Sequence, residues 1–276
     1  MLLPVAGKKR LDLLVTERGL ADSRALAQRL IREGRVRVAD QVSDKPGTLV
    51  PEDVALSLDA GPPFVSRGGE KLEAALSAFA LDVSGRACAD VGASTGGFTD
   101  CLLQRGARLV YAIDVGYGQL DWRLRNDPRV VVLERTNARN LEQLPGPVSL
   151  VTMDVSFISL RLILPRALAW LSAAPDAAGP GEGRHVVALV KPQFEAGRRD
   201  VPRGGVVRDP EVHRRVLASV LDAAAGLGFG VRGAIASPLR GPAGNVEFLA
   251  WWQLGADGQP AEPLIDAVLG QAEAVS

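Results

Sequence analysis

The 276-residue sequence has few cysteines, only Cys88 and Cys101. Two cysteines cannot build a disulfide framework or a cysteine-ligated zinc site, so we expect no metal and no covalent cross-links. Their scarcity is typical of proteins in a reducing compartment. With 47% hydrophobic and 23% charged residues, the composition is otherwise that of an ordinary globular protein.

Long apolar runs are also absent. The best candidate for a membrane span, residues 162–174, is interrupted by Pro165 and Arg166, whereas a span needs about 18 apolar residues. The apolar start, residues 1–7, is short, and positive charges follow it rather than precede it, which is the wrong order for a signal peptide. These features predict a cytoplasmic protein with no membrane partner.

A net charge is missing too, because 32 basic residues balance 32 acidic ones. No overall attraction to nucleic acid follows from such a balance. The distribution is uneven, however: the segment from Met1 to Arg37 contains nine basic and four acidic residues, an excess of five positive charges. This local excess indicates an anionic partner for the N-terminal part of the chain.

Composition divides the chain into two domains. Residues 1–60 contain two helical patterns, the second after a cap at Asp22 or Ser23, and short strands at 36–38 and 55–58, which together make only a small core. A linker is predicted over 61–66, because it starts with a stiff Gly-Pro-Pro sequence. Residues 67–276 form the second domain, which opens with an amphipathic helix over 67–80.

Strand-like apolar runs alternate with helical stretches through the second domain. The runs cover residues 87–91, 109–113, 130–133, 150–153, 186–190, 231–236 and 246–252. This alternation predicts an α/β fold: a doubly wound, mainly parallel seven-stranded sheet with helices on both faces. A loop rich in Ala, Pro and Gly is expected over 173–183, and a short amphipathic helix over 263–272.

The strongest local motif is DVGASTGGFTD, residues 90–100, which follows a strand and opens a helix. A dinucleotide-binding fingerprint would place glycine where Ser94 stands, which argues against NAD. The acidic Asp90 before the first glycine suits an amine-bearing ligand, and Asp114 after the next strand can accept hydrogen bonds from ribose hydroxyls. These features predict an S-adenosylmethionine site; the alternative is a structural glycine turn in a phosphate-binding domain.

Four charged residues are candidates for catalysis. Methyl transfer to a hydroxyl needs a base, and a lysine can serve only when it is neutral, a form favoured by desolvation or a second cation. Lys191 at the end of the fifth strand is the strongest candidate, with Lys71 as the second cation and Glu247 to orient a lysine. The Asn/Asp-Pro-Pro motif of many amino-group methyltransferases is absent after the fourth strand, where Asp154 stands.

Each of these residues has a purely structural alternative. Lys71 could be a solvated residue of its helix, and Asp154 could cap a helix. Glu247, placed within an apolar strand, could form a structural ion pair. Taken one by one, these residues do not decide between the two interpretations.

Several long motifs together resemble the TlyA family of bacterial rRNA cytidine 2′-O-methyltransferases, also called hemolysin A, whose catalytic domain is similar to FtsJ. The similar segments cover nearly the whole chain: SRGGEKL (66–72), DVGASTGGFTD (90–100), DVGYGQ (114–119), ERTNAR (134–139), DVSFIS (154–159), LVKPQFE (189–195) and GNVEF (244–248). The resemblance implies a class I methyltransferase fold with S-adenosylmethionine as cofactor.

The resemblance also implies roles for individual residues. The Lys-Asp-Lys-Glu tetrad of the family falls on Lys71, Asp154, Lys191 and Glu247, with Lys191 nearest the 2′-hydroxyl, Asp154 and Lys71 tuning it, and Glu247 orienting the group. Asn137 and Ala138 fall where the family's loops face the adenine. The implied cofactor-binding residues are Asp90, Gly92, Ser94, Thr95, Gly96, Gly97, Phe98, Asp114, Val115, Asn137 and Ala138.

The N-terminal segment carries RLD (10–12), SR (23–24), GRV (34–36) and KP (45–46). In these short motifs it is similar to the S4-like RNA-binding domain. Basic helices on one face of such a domain supply phosphate contacts, which position an enzyme without reading sequence; a solvated helix face is the alternative. The candidates for RNA contact are Arg10, Arg24, Arg29, Arg32, Arg35 and Arg67.

The resemblance implies ribosomal RNA in ribosomal subunits as the partner. The family contains enzymes for the large subunit alone and longer enzymes for both subunits; the residues before Arg10 and the predicted C-terminal helix favour the longer kind. Two other functions compete with this prediction. A membrane-active hemolysin is opposed by the lack of apolar runs, and a non-catalytic RNA-binding assembly factor would not need the tetrad.

Overall fold

The computed structural model describes residues 7–59, 61–173 and 183–274. The chain divides into two compact units, with the boundary between Pro63 and Phe64. Residues 64–66, expected in the linker, belong to the second unit, where Phe64 is buried and the Val65 amide donates a hydrogen bond to Asp100. The loop predicted over 173–183 lies, apart from its two ends, outside the described residues.

The first unit packs two helices against short strands. Its helices are α1 (Leu11–Glu17) and α2 (Arg24–Arg32), and its strands are β1 (Lys8–Arg10), β2 (Val36–Val38), β3 (Gln41–Ser43), β4 (Leu49–Pro51) and β5 (Leu56–Leu58). Strands β3-β2-β5 form one antiparallel sheet, and β1 pairs with β4. Ser23 caps α2 by accepting a hydrogen bond from the Leu26 amide. Leu11, Val15 and Ile31 are fully buried between these elements.

The second unit is built on a seven-stranded sheet. Its strands are β6 (Ala87–Val91), β7 (Leu109–Ile113), β8 (Val130–Leu133), β9 (Leu150–Met153), β10 (His185–Val190), β11 (Phe229–Ala236) and β12 (Phe248–Leu254). Their order is β11-β12-β10-β9-β6-β7-β8. The β10-β9-β6-β7-β8 pairs are parallel, and β12 is antiparallel to both neighbours. The predicted mainly parallel sheet is confirmed.

Helices cover both faces of this sheet. They are α3 (Arg67–Ala78), α4 (Gly97–Gln104), α5 (Trp122–Arg125), α6 (Leu164–Ser172), α7 (Pro192–Glu195), α8 (Pro210–Ala225) and α9 (Ala261–Ala274). Alternate strand residues point to opposite faces: Ala89 lies in the apolar cluster with α6, α8 and α9, whereas Cys88 lies in the cluster with α3 and α4. The helix predicted near the C-terminus is therefore present as α9.

The strand order reverses at β6, which pairs with β7 on one side and β9 on the other. In a doubly wound sheet, ligands bind at the carboxyl ends of the strands beside such a reversal. Asp114, Asp154 and Lys191 directly follow β7, β9 and β10 at this edge. Glu247 reaches the same edge from the opposite direction, because it directly precedes the antiparallel β12. Among the helices described here, none is long and apolar enough to cross a membrane.

Candidate active site

The loop after β6 turns sharply at glycines that other residues could not replace without strain. Gly92 and Gly96 have φ values of +84° and +98°, in the left-handed region that favours glycine. A Cβ at Gly92 would lie only 2.4 Å from the backbone oxygen of Asp154. This loop, residues 92–96, is called the glycine loop below. It lies directly against the segment after β9, which carries the predicted catalytic residue Asp154.

Close contact between α3 and α4 fixes the position of Lys71. A Cβ at Gly97 would lie 2.3 Å from Ser66 Oγ and 2.7 Å from the Gly69 nitrogen. The absence of a side chain at Gly97 lets the start of α3 approach the start of α4. Lys71, in the second turn of α3, is brought to the glycine loop by this contact.

Asp90 is an internal anchor of the loop. Its side chain is fully buried, and its two oxygens accept hydrogen bonds from Thr99 Oγ1 at 2.7 Å and Thr152 Oγ1 at 3.2 Å. Burial away from any cation raises the pKa of Asp90 to about 7. Asp90 does not line the cavity described below, so this structure ties its carboxylate to α4 and β9 and gives it no exposed face for the predicted ligand contact.

Asp114 links the loops that follow β6 and β7. Its carboxylate accepts hydrogen bonds from the backbone amides of Ser94 at 2.8 Å and Gly116 at 2.6 Å. It lies in a small depression with Gln119 and Glu134. Each carboxylate oxygen can accept more than one hydrogen bond, so Asp114 can hold this loop and still accept bonds from ligand hydroxyls.

The four tetrad residues form two ion pairs. Lys191 Nζ lies 2.6 Å from Asp154 Oδ1 and donates a 2.9 Å hydrogen bond to Ser156 Oγ. Lys71 Nζ lies 2.5 Å from Glu247 Oε2, and both of these residues are buried. Asp154 Oδ1 is buried yet accepts no aligned hydrogen bond from the described residues. One lysine–carboxylate pair is therefore enclosed, and the other is partly exposed.

Both pairs border one cavity of about 230 Å³. It is lined by Ser66, Arg67, Gly68, Lys71, Gly92, Ala93, Ser94, Thr95, Gly97, Phe98, Asp154, Lys191, Pro242 and Glu247. The glycine loop and the tetrad, which are far apart in sequence, thus share one space at the switch point of the sheet.

The surroundings of Lys71, Asp154 and Glu247 decide between their structural alternatives and a place at the cavity. Lys71 is 7% exposed, so it is not a solvated helix residue. No helix begins at Asp154; the next one is a 3₁₀ turn that starts at Leu160 and is capped by Ser159. Glu247 does form an ion pair, as its alternative held, but it precedes β12 instead of lying within it, and the pair borders the cavity.

Other predicted cofactor residues lie outside the cavities described in this structure. Val115 is 70% exposed. Asn137 caps a 3₁₀ turn by accepting a hydrogen bond from the Arg139 amide, and Ala138 packs in the core. Gly96 provides the turn before α4. Their predicted contacts with the cofactor stay predictions.

Two residues beside the tetrad had not been singled out from the sequence. Ser156 accepts the hydrogen bond from Lys191. Phe157 has a φ of +63° and is 90% exposed, with its ring 4.9 Å from that of Phe194. The DVSFIS motif contained both residues, but a pattern of apolar residues predicts burial for phenylalanine and cannot reveal a ring held in solvent.

In the first unit, Asp12 gathers the basic residues. Its fully buried carboxylate accepts hydrogen bonds from Arg10, Arg24 and Gln28 at 2.8 to 3.1 Å. The hydrogen bond from Arg10 is the main reason that the pKa of Asp12 lies well below its usual range. Arg10 and Arg24 keep roughly half of their side chains exposed, at 43% and 53%, so they are held in place while their outer atoms stay accessible.

The remaining basic candidates of this unit are arranged more loosely. Arg29 and Arg35 make long ion pairs with Glu33, at 3.8 and 3.9 Å, and Arg32 is exposed. Arg35 is the best held of the three, because its Nε also donates a 3.1 Å hydrogen bond to the Asp59 oxygen. Arg67 belongs to the second unit, where it lines the cavity. Exposed arginines suit both phosphate contact and simple solvation, so RNA contact by these residues stays a prediction.

Comparison with known proteins agrees with this architecture. The model of the FtsJ-like methyltransferase family matches residues 64–254, and that of the S4 domain matches residues 9–55. The chain is therefore an FtsJ-like methyltransferase with an S4 domain. It belongs, more narrowly, to the TlyA family: over 269 residues it is 49% identical to the 16S/23S rRNA (cytidine-2′-O)-methyltransferase TlyA of Mycobacterium tuberculosis, covering 96% of this chain and 97% of that one.

Two further relatives carry the hemolysin name. Hemolysin A of Brachyspira hyodysenteriae is 38% identical over 255 residues, which cover 87% of this chain and 98% of that protein. A solved structure of a Streptococcus thermophilus protein described as a hemolysin is 43% identical, with a TM-score of 0.71, and covers 98% of this chain and 97% of that one. The family resemblance predicted from the motifs is confirmed.

Proposed function

We propose that the protein transfers a methyl group from S-adenosylmethionine to the ribose 2′-hydroxyl of a cytidine in 23S rRNA, and also in 16S rRNA. The observation that carries the proposal is the pair of lysine–carboxylate contacts bordering one cavity with the glycine loop. A relative of 49% identity is named for this reaction on both RNAs. Helix α9 is present where the longer, dual-specificity enzymes are expected to carry one.

The residues at this edge of the sheet fit S-adenosylmethionine. Gly92 and Gly97 line the cavity, and Asp114 in the neighbouring depression can accept hydrogen bonds from the ribose hydroxyls of the cofactor. When bound, the cofactor supplies an electrophilic methyl group. Ser94 and Thr95 line the same space and offer further polar contacts.

Lys191 is the proposed proton acceptor. The 2′-hydroxyl becomes a good nucleophile as its proton leaves, and Lys191 can take that proton only when it is neutral. Asp154, 2.6 Å from Lys191 Nζ, holds this nitrogen in place and balances the positive charge that Lys191 carries once it has taken the proton. Ser156 holds the same nitrogen from a second side, so the direction of its free electron pair is constrained.

The enclosed Lys71–Glu247 pair positions the site. Glu247 fixes Lys71 Nζ, and the ion pair keeps a buried positive charge from being left uncompensated.

The exposed ring of Phe157, three residues after Asp154, offers a surface on which an unstacked nucleobase can lie. The S4 domain supplies phosphate contacts that place the RNA without reading its sequence.

The proposal is tested by transfer of labelled methyl from S-adenosylmethionine to unmodified large and small ribosomal subunits, assayed separately, followed by nucleoside analysis. Label recovered as 2′-O-methylcytidine from both subunits is the expected result. Label from the large subunit alone would overturn dual specificity, and label on a base would overturn the tetrad chemistry. Intact cofactor and RNA binding without any label would favour a non-catalytic assembly factor.

A further inference from the structure

The segment between α7 and α8, residues 196–209, contains four arginines, Arg198, Arg199, Arg203 and Arg208. We call this segment the arginine loop. All four side chains are exposed, and none of them makes a hydrogen bond or an ion pair with the described residues. Arginines elsewhere in the second unit often have carboxylate partners, such as Arg105 with Glu73, Arg125 with Glu134 and Arg214 with Asp266.

Although its arginines are unpaired, the loop is firmly anchored. Val207 is 2% exposed and lies in the core. The side chain of Asn245, itself 1% exposed, accepts a 2.9 Å hydrogen bond from the Val207 amide and donates a 2.9 Å bond to the Gly205 oxygen. Asp200, in the middle of the loop, forms a 3.2 Å ion pair with Arg215 of α8.

The apolar and acidic side chains of the loop are used in contacts with the rest of the second unit. Its apolar Val207 is buried, and its acids are engaged: Asp200 by Arg215, and Asp209 as the cap of α8. Only the positive groups are left without partners. A rigid backbone with exposed guanidinium groups pays little entropy when it binds a phosphate backbone, because only the side chains must be ordered.

The loop is connected at both ends to segments that line the cavity. It begins one residue after α7, which directly follows Lys191, and Asn245, which holds its other end, stands two residues before Glu247. Both ends of the arginine loop are therefore tied to segments that carry tetrad residues. An RNA whose ribose reaches Lys191 must place its neighbouring phosphates close to this edge of the sheet.

We infer that the arginine loop is a second RNA-backbone binding surface, carried by the methyltransferase unit itself and distinct from the S4 domain. Its partner is the phosphate backbone of the RNA that flanks the target nucleotide. The inference rests on the proposed function for the identity of that RNA. Guanidinium groups suit the role because they bind phosphate oxygens through two parallel hydrogen bonds.

The test measures how RNA binding by the full-length protein depends on salt. Each phosphate contact contributes roughly 0.7 to 0.9 to the slope of log affinity against log salt concentration. The variants Arg198→Gln/Arg199→Gln and Arg203→Gln/Arg208→Gln are compared with wild type on a protein-free ribosomal RNA transcript. We expect each double variant to lower the slope by about 1 to 2 and to weaken binding several-fold.

The matched control is Arg108→Gln/Arg232→Gln, which removes the same charge. Both residues are exposed; Arg108 directly precedes β7, at the amino end of a parallel strand and therefore at the opposite edge of the sheet, and Arg232 lies midway along β11, the outermost strand. The control should keep the wild-type slope. Equal slopes for loop and control variants, or wild-type binding that does not depend on salt, would overturn the inference.

Methylation is measured in parallel so that two failures can be told apart. The loop variants should keep wild-type affinity for S-adenosylmethionine and show a raised KM for RNA with little change in kcat. If wild type binds RNA with the expected salt slope but transfers no methyl group, the proposed function fails while the binding surface stands. If methylation occurs and the loop variants match the control in slope and KM, only the loop inference fails.

Discussion

At the scale of single residues, the proposed chemistry depends most on Lys191. Replacement by alanine removes the nitrogen held between Asp154 and Ser156 and should lower kcat for RNA methylation by at least about 100-fold, the usual contribution of a positioned base. Affinity for S-adenosylmethionine, measured by calorimetry, should stay near wild type. Substantial residual activity would remove Lys191 from the mechanism.

Asp114, in the depression beside the cavity, tests the proposed contacts with the cofactor. Asp114→Ala removes the acceptor of two loop amides and of the proposed ribose contacts. We expect binding of S-adenosylmethionine to weaken by about tenfold or more, because hydrogen bonds to a charged group are worth roughly 1.5 to 3 kcal/mol. Calorimetry that gives an unchanged dissociation constant would contradict the ribose role.

Asp90 gives the stability of the second unit a pH dependence. Because burial raises its pKa to about 7, the folded state holds a proton between about pH 4 and 7 that the unfolded state has lost. The free energy of unfolding therefore falls as pH rises through this window, by on the order of 1 kcal/mol per pH unit. Asp90→Asn should flatten this dependence.

Tryptophan fluorescence during urea unfolding measures this effect cleanly, since all four tryptophans lie in the second unit. The comparison is made at several pH values between 5 and 8. A variant with the same slope as wild type would show that Asp90 is ionised in the folded protein throughout this range.

Asp12 gives the stability of the first unit a pH dependence of the opposite sign. Its pKa is lowered by Arg10 and by further hydrogen bonds from Gln28 and Arg24, so its stabilisation is complete above the ordinary pKa near 4 and is lost as pH falls below it. Asp12→Asn should reduce the free energy of unfolding of the first unit at pH 7 by about 1 to 3 kcal/mol. Hydrogen exchange of α1 and α2 amides gives this value, and the difference should shrink under acid conditions.

At the scale of elements, the contact of α3 with α4 depends on one missing side chain. Gly97→Ala places a Cβ within 2.7 Å of both Ser66 and Gly69. We expect a loss of about 1 to 3 kcal/mol and reduced methylation, because the displaced α3 carries Lys71. Gly270→Ala in α9 is the control: its Cβ would meet nothing within 4 Å, so fluorescence-detected unfolding should be unchanged or slightly more stable.

The elements that the sequence predicted are those with long, uniform patterns. The central strands β6, β9 and β10 of the main sheet are buried on both faces and appear as continuous apolar runs. Strands β1, β3 and β4 were not predicted, since each has only three residues and half-exposed side chains. The start of β12 was placed two residues early, because Val246 extends the apolar pattern past Glu247.

The sequence predicted which residues meet at the candidate site, but it did not predict which lysine pairs with which carboxylate. Resemblance to the family identified all four tetrad residues, and the strand ends placed three of them at one edge. That Glu247 pairs with Lys71, and Asp154 with Lys191, depends on side-chain directions that no sequence pattern contains. The internal hydrogen bonds of Asp90 were hidden for the same reason.

At the scale of the whole molecule, we expect the two units to have separate tasks. Deletion of residues 1–60 removes the S4 domain but leaves both apolar clusters of the second unit complete. We expect the shortened protein to keep its fluorescence-detected unfolding midpoint and its affinity for S-adenosylmethionine, while RNA methylation falls steeply. Full methylation by the shortened protein would make the S4 domain dispensable.

The place of β12 in the sheet has a consequence for how the protein is made. This strand is the last of the twelve described in the chain, yet it lies between β10 and β11 and brings Glu247 to Lys71, which precedes it by 176 residues. During synthesis the sheet must stay open at that position until β12 leaves the ribosome. The cavity is therefore closed only after β12 has been synthesised, and a chain that stops before β12 lacks both the strand and the carboxylate that pairs with Lys71.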